Sequence, residues 1–462
     1  MKARKIDHFF LPGIEVEDYC VNVPLDWRGK DPQTLAEEGL PEDEELWPLF
    51  WRVLRSAGTA KANRPYLIYL QGGPGCYGPR PLAATGWLAE ALKHFQVVLL
   101  DQRGTGRSGS IDGQLIEARG AVVAELGSEA AARSQADFLK RFLALSIVKD
   151  YEFVRHLAFD SKPWYSLGQS YGGFLTMCYL SFYPEGLKAS FISGGVLHIP
   201  GSAEELYQHS VLRMAEKTKA FYERYPEDAK RLAYLADYLE REDLRLPDGE
   251  RLTARRLQML GQGLGAKPGA ERLHQLLDTA FAETGAEIPE GTRPSCHFLM
   301  SAYQTLSSYG NPLYWTLQEF IYANSEVEPI RWAAERACAV RPEFSPQARP
   351  LMLTGEAIFS WLFDEDPALR PFKAAMEVLM EDREFDPIYD PEQLAKNTVP
   401  LQAMVYFDDL YVPSELQLDT LSRVGSSHAW VSNEYEHDGL TDPRVFARLL
   451  EEARNRGDLE EL

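Results

Sequence analysis

The chain is short of several things at once, and each shortage closes a door. It holds five cysteines in 462 residues (Cys20, Cys76, Cys178, Cys296 and Cys338), an odd and scattered set with no C-x-x-C pair. That pattern argues against a disulfide framework or a zinc site and fits a reducing cytoplasm. Long apolar runs are missing too. No segment reaches the roughly 18 consecutive apolar residues of a membrane span. The N-terminus MKARKIDHFFLPGIEVEDYC is broken by Asp7, His8 and Pro12, so it does not read as a signal peptide. Positive charge is scarce relative to negative, with a net charge of −21. A surface of that sign repels phosphate, which argues against nucleic acid and anionic membrane as partners. What remains is an ordinary globular composition, 45% hydrophobic and 25% charged, in a chain long enough for one large interrupted domain or two.

The order of elements narrows the class. LWPLFWRVL (46–54), YLIYLQ (66–71), FQVVLLD (95–101), WYSLGQ (164–169) and KASFISGG (188–195) read as strands. Several are apolar at consecutive positions, as strands covered on both faces should be. A long helical pattern over 134–158 and a helix over 171–183 lie between them, so a mainly parallel α/β sheet is expected. From about residue 202 the texture becomes helical, with a Gly-rich break at 261–270, and no good strand signal returns until PLQAMVYFDD (400–409) and AWVSNEYEH (429–437). The expected layout is a core of residues 1–201 and 383–462, with a helical cap of residues 202–382 inserted before the last two strands.

Three stretches at strand ends carry chemistry. LGQSYGG (167–173) places Ser170 in a G-x-S-x-G turn between a strand and a helix. Small neighbours permit the sharp turn a nucleophilic serine needs, and the following helix directs N–H groups toward an oxyanion. Alone, the pentapeptide is also compatible with a plain Gly-rich loop. LQGGPGCYGPRP (70–81) offers a second set of backbone donors at a strand end, and its plain reading is a turn. DQRGTGRSG (101–109) contains G-x-G-x-x-G after a strand, but its continuation is turn-like rather than helical. It therefore does not read as a dinucleotide site; Asp101 and Arg103 read as braces for the surrounding loops. A triad requires an acid and a base downstream of the serine. Asp408 or Asp409 follows the next-to-last strand and His437 follows the last, while His428 sits before it.

Taken together, LQGGPG, LLDQRGTGRS, LGQSYGG and NEYEHDGL, with LQEFIYANSEVEPIRWAAER (317–336) and LTGEAIFSWLF (353–363), resemble the prolyl aminopeptidases, or proline iminopeptidases, of the α/β-hydrolase fold, in their longer bacterial type. The match runs from about residue 66 to 440. Gln71 departs from the family's commoner His-Gly-Gly-Pro-Gly form. The resemblance implies release of an N-terminal proline, or another small residue, from small peptides with a free N-terminus, without metal or organic cofactor. It implies Ser170 as nucleophile, His437 as base and Asp409 as its orienting acid, since Asp-x-x-x-Pro (409–413) matches the loop spacing of this fold. The N–H groups of Gly73 and Tyr171 are the implied oxyanion donors. An aminopeptidase must also hold a charged amine, and Glu319 and Glu356 in the two cap stretches are the expected carboxylates. Both glutamates could equally be surface residues of cap helices. Tyr322, Trp361 and Phe363 are candidates to wall a ring pocket. Two other readings stay open: a general esterase or amide hydrolase with the same triad, and a non-catalytic receptor on this fold.

Overall fold

The computed structural model describes residues 2–58, 63–282 and 288–459. Nine strands form one sheet: β1 (Arg4–Leu11), β2 (Ile14–Pro24), β3 (Leu46–Ser56), β4 (Tyr66–Leu70), β5 (Gln96–Leu100), β6 (Trp164–Gln169), β7 (Leu187–Ser193), β8 (Leu401–Tyr406) and β9 (Ser427–Ser432). Their spatial order is β1-β2-β3-β5-β4-β6-β7-β8-β9. The first three pair antiparallel with one another, and β3 with β5, while every pairing from β5 through β9 is parallel.

The consecutive apolar positions of the central strands are explained by two cores, one on each face. Along β4, Leu67 and Tyr69 face one apolar cluster while Ile68 and Leu70 face the other; along β5, Val97 and Leu99 alternate with Val98 and Leu100 in the same way. A strand has a side-chain period of two, so covering both faces demands apolar residues throughout. One face carries the helices Gly86–His94 and Pro443–Asn455. The other carries Ala144–Ala158 and Tyr171–Phe182 and is continuous with the apolar interior of the helices between β7 and β8.

Two local readings are corrected. The helical pattern over 134–158 is two helices, Ser128–Leu139 and Ala144–Ala158, separated by a tight turn at Lys140–Phe142. The segment 433–437 is loop, because β9 spans Ser427–Ser432 and carries His428 within it. The strands β1 and β2 lack the clear apolar pattern that marks a strand in sequence. Their alternation is masked by acids, of which Asp18 is 1% exposed and paired with Arg52 at 2.7 Å and 2.9 Å. Between β7 and β8 the described residues hold helices, from Ala203–Arg224 to Pro391–Ala395, and two isolated bridges, Arg245 with Arg251 and Glu326 with Glu384.

The loop after β5 is pinned from below. Arg103, buried with no exposed surface on its side chain, donates to Asp150 at 2.7 Å and 2.6 Å and to the carbonyls of Pro24, Leu25 and Arg141. Asp101 accepts from the N–H groups of Gly78 and Arg107 and from Arg80. No helix opens at the glycines of 104–109; the next begins at Gly113. These residues brace the loops that crown the parallel strands.

Candidate active site

Because β4 and β6 to β9 run parallel, the loops that leave them gather at one end of the sheet, where open α/β sheets hold their ligands. Ser170 leaves β6 with φ 55° and ψ −126°. A non-glycine residue in such a conformation costs on the order of 1–3 kcal/mol and is held only by its surroundings. Those surroundings are glycines at van der Waals contact. A Cβ on Gly172 would lie 1.8 Å from the carbonyl oxygen of Leu70, and one on Gly195 would lie 1.9 Å from that of Ser170. Neither site can hold a side chain, so β4, the serine turn and the turn after β7 close on one another. Hydrogen bonds from Ser170 N to Ser193 O (3.0 Å) and from Gly173 N to Ser170 O (2.7 Å) fix the turn.

Asp409 and His437 come from the loops after β8 and β9. His437 Nδ1 lies 2.8 Å from Asp409 Oδ2. The other carboxylate oxygen accepts from the N–H groups of Tyr411 (2.9 Å) and Val412 (3.1 Å). Asp409 is fully buried, whereas its neighbour Asp408 is exposed. The backbone N–H of His437 donates to Gly265 O at 3.0 Å, and the Tyr411 ring stands edge-on to the imidazole with centroids 4.7 Å apart. The imidazole is thus held from the core and from the Gly-rich break at once. The turn after β7 joins the two halves: a Cβ on Gly194 would lie 3.1 Å from His437 Nδ1, while Gly195 abuts Ser170. Burial alone would depress His437, but the charge and hydrogen bond of Asp409, with the charge of Glu356, outweigh it and raise its pKa above the ordinary value.

The expected oxyanion donors flank the serine. Tyr171 opens the helix Tyr171–Phe182, so its N–H has no partner within that helix. A Cβ on Gly72, next to Gly73, would lie 3.1 Å from Ser170 Cβ.

The two cap glutamates separate in character. Glu356 is half-buried, accepts from Tyr314 Oη and Gln318, and shares its electrostatic field with His437 and Asp409. Burial raises its pKa against the lowering effect of those hydrogen bonds. Gln262 donates to Tyr314 Oη at 2.8 Å, extending the network. Glu319 has no exposed surface, and its two oxygens accept from the N–H groups of Ala333 and Ala334, both at 2.9 Å. It therefore secures the start of the helix Ala333–Ala339, and burial pushes its carboxyl up to about 7. Tyr207 and Tyr322 are buried, and the charges of both glutamates add to burial in raising the pKa of each phenol.

Of the aromatic candidates, Tyr322 is buried edge-on to Phe174 at 5.4 Å, and Phe174 lies on the helix that opens after Ser170. The other two lie elsewhere. Trp361 stacks on Phe359 and under Arg255 beside a separate cavity of about 270 Å³, and Phe363 is buried against Trp332. Tyr207, Gln262, Tyr314, Tyr411 and Gly195 escaped the sequence reading. Of these only Gly195, at the end of a strand in SGG, left a trace in the pattern. Among the described residues, one group of side chains could converge on a metal: His8, Glu15 and Glu17 on the β1–β2 hairpin. Glu17 is already bonded to Lys5, Arg55 and Tyr19 there, far along the sheet order from Ser170.

This arrangement can be set beside known proteins. Residues 65–280 match the family model described as the alpha/beta hydrolase fold. A proline iminopeptidase of Aeromonas sobria is 40% identical over 96% of this chain and 97% of its own. The chain belongs to the proline iminopeptidase family. A second member of that family, from Aspergillus aculeatus, is 30% identical over 90% of each chain. Among solved structures, the proline iminopeptidase of Mycobacterium smegmatis aligns over 90% of this chain and 96% of its own, with 14% identity and a TM-score of 0.41. Membership is thus carried by the sequence match, and the site of this proline iminopeptidase family member by its own geometry.

Proposed function

We propose that the chain is a serine aminopeptidase that releases N-terminal proline from peptides. The observation that carries this reading is the conjunction of the strained Ser170 turn with the 2.8 Å Asp409–His437 pair at the same sheet end. Asp409 takes the Nδ1 proton as a hydrogen bond, which leaves Nε2 as the basic end of the imidazole. Ser170 Oγ attacks the carbonyl of the first residue, and its proton passes to Nε2. The N–H groups of Tyr171 and Gly73 hold the oxyanion, each such donor supplying on the order of 3 kcal/mol. Collapse breaks the C–N bond, His437 returns the proton to the departing amine, and water repeats the sequence on the acyl-serine to release the amino acid.

The substrate's ammonium is assigned to Glu356, with Glu319 as the second carboxylate. Glu356 is the half-buried carboxylate nearest the imidazole in the electrostatic sense, and a carboxyl held above its ordinary pKa by burial is one that a cation stabilises. Tyr322 and Phe174 supply an apolar wall of the kind a pyrrolidine ring would contact. The helical residues 202–382 serve as the lid, and residues 1–201 and 383–462 as the core. Its five unpaired cysteines support a reducing, cytoplasmic setting, and no helix among the described residues is long and apolar enough to cross a membrane.

The test is turnover of prolyl- and alanyl-arylamides by wild type and by Ser170→Ala. Wild type should favour the prolyl substrate, and the variant should retain only a trace of activity while a serine-directed phosphonate ceases to label it. An active Ser170→Ala, or a wild type that ignores both substrates, overturns the assignment.

A further inference from the structure

Beside the serine lies a cleft of about 620 Å³. Its walls begin at the reacting groups: Gln169 precedes Ser170, Gln71 precedes the oxyanion glycines, and Leu440 and Thr441 follow His437 by three and four residues. Tyr322, Phe174 and Tyr207 belong to the apolar cluster of one face, whereas Tyr69, Trp87 and Leu440 belong to that of the other. Ser170, at the tip of β6, stands between them.

The cleft has a second property that its surroundings do not share. In a chain that is 25% charged with a net charge of −21, none of the residues lining the cleft is charged. Its polar groups are neutral amides and hydroxyls, and several are held in place. Tyr69 donates to Gln169 Oε1 at 2.6 Å, which sets that amide's orientation. Asn311 accepts from Tyr314 N at 3.2 Å and directs its Nδ2 at Cys76 Sγ at 3.1 Å. The Tyr69 ring stacks on Trp87 with centroids 4.3 Å apart, giving a firm apolar wall. Arg80, which packs over the Tyr77 ring at 5.2 Å, is bound to Asp101 and so brings no cation to the cleft.

We propose that this cleft receives the leaving-group side of the substrate, and that its lack of charge selects an uncharged group immediately after the scissile bond: a continuing peptide or an amide rather than a free α-carboxylate. The inference rests on the aminopeptidase reading above and adds its leaving-group preference. With the ammonium committed to Glu356, the cleft lined by Gln71 and Gln169 is the space left for the departing nitrogen. A dipeptide's terminal carboxylate would then lie in the cleft without a cationic partner, near the negative charge of Asp409 and Glu356. Amide donors can serve a peptide bond in the same place, and Trp87 and Tyr77 can cover an apolar side chain.

The experiment compares kcat/KM for prolyl-phenylalanine amide and free prolyl-phenylalanine, with prolyl-arylamide as the control for the aminopeptidase reading. Wild type should prefer the amide tenfold or more. Thr85→Lys places a cation at the rim, where Thr85 is exposed and makes no side-chain cap hydrogen bond to its helix. It should narrow the amide-over-acid preference at least threefold, with circular dichroism showing that the variant is folded. Thr441→Lys, at another exposed rim position, is the second variant and should act in the same direction. Equal wild-type rates on acid and amide, or a preference unmoved in both folded variants, overturns the inference while leaving the aminopeptidase reading intact. Failure of wild type to turn over prolyl-arylamide sinks that reading itself, and this inference with it.

Discussion

Asp409→Asn should cost far more than the loss of one charge suggests, and the reason is visible in how the carboxylate is held. One oxygen faces His437 Nδ1 at 2.8 Å, and the other accepts two backbone N–H groups at 2.9 Å and 3.1 Å. An asparagine has only one oxygen for these two duties. If it keeps the backbone donors, its NH2 points at Nδ1 and forces the proton onto Nε2, the nitrogen that must accept from Ser170. If it flips, two buried N–H groups lose their acceptor, at about 1–3 kcal/mol each. The backbone therefore holds the imidazole in the wrong tautomer by roughly 2–6 kcal/mol, a factor of about 30 to 25,000. Loss of the charge that stabilises the imidazolium multiplies this, and a total near 10⁴-fold in kcat is expected. Asp408→Asn, at an exposed position, should stay within threefold of wild type. The assay is steady-state hydrolysis of a prolyl-arylamide by both variants, with circular dichroism to show that each is folded. A loss below tenfold for Asp409→Asn, or equal losses for the pair, refutes the reasoning.

Other consequences follow from contacts around the same groups. Gly195→Ala would put a Cβ 1.9 Å from the Ser170 carbonyl, so the serine turn must shift; phosphonate labelling should slow at least 100-fold, and a variant labelled at the wild-type rate would show the turn does not depend on that approach. The pH profile carries a sign. His437 must be neutral to accept a proton, and its pKa is raised, so kcat/KM should fall on the acid side through a value above the ordinary 6.5. Glu356 contributes to that rise, so Glu356→Gln should move the acid limb to lower pH even as it weakens binding of the free amine; an unmoved or upward-moved limb contradicts the proximity of the two groups.

How far the sequence carried this account varies with the physics of each element. The parallel strands were readable because burial on both faces demands unbroken apolar runs, and their loops because only glycine fits where Gly172 meets Leu70. Ser170 and His437 could be located by their place after strands. β1 and β2 were not readable, since an exposed edge strand and a buried Asp18–Arg52 pair erase the apolar alternation that periodicity detects. The cap resisted most. Tyr207, Gln262 and Tyr314 reach the site from helices separated by dozens of residues, and nothing in local spacing marks a helical tyrosine as facing a pocket rather than a core. Glu319 shows the limit well: the same carboxylate expected to meet an ammonium also anchors two backbone N–H groups, a contact that only the folded chain reveals.

The central claim is that the site recognises a free N-terminal amine and cleaves the bond behind it. Its most direct test is kcat/KM of wild type for prolyl-arylamide against N-acetyl-prolyl-arylamide at neutral pH. A half-buried Glu356 gains a cation from the first and is left uncompensated by the second, so a preference of 100-fold or more for the free amine is predicted. Equal rates on the two substrates would contradict the account and make the chain a general amide hydrolase.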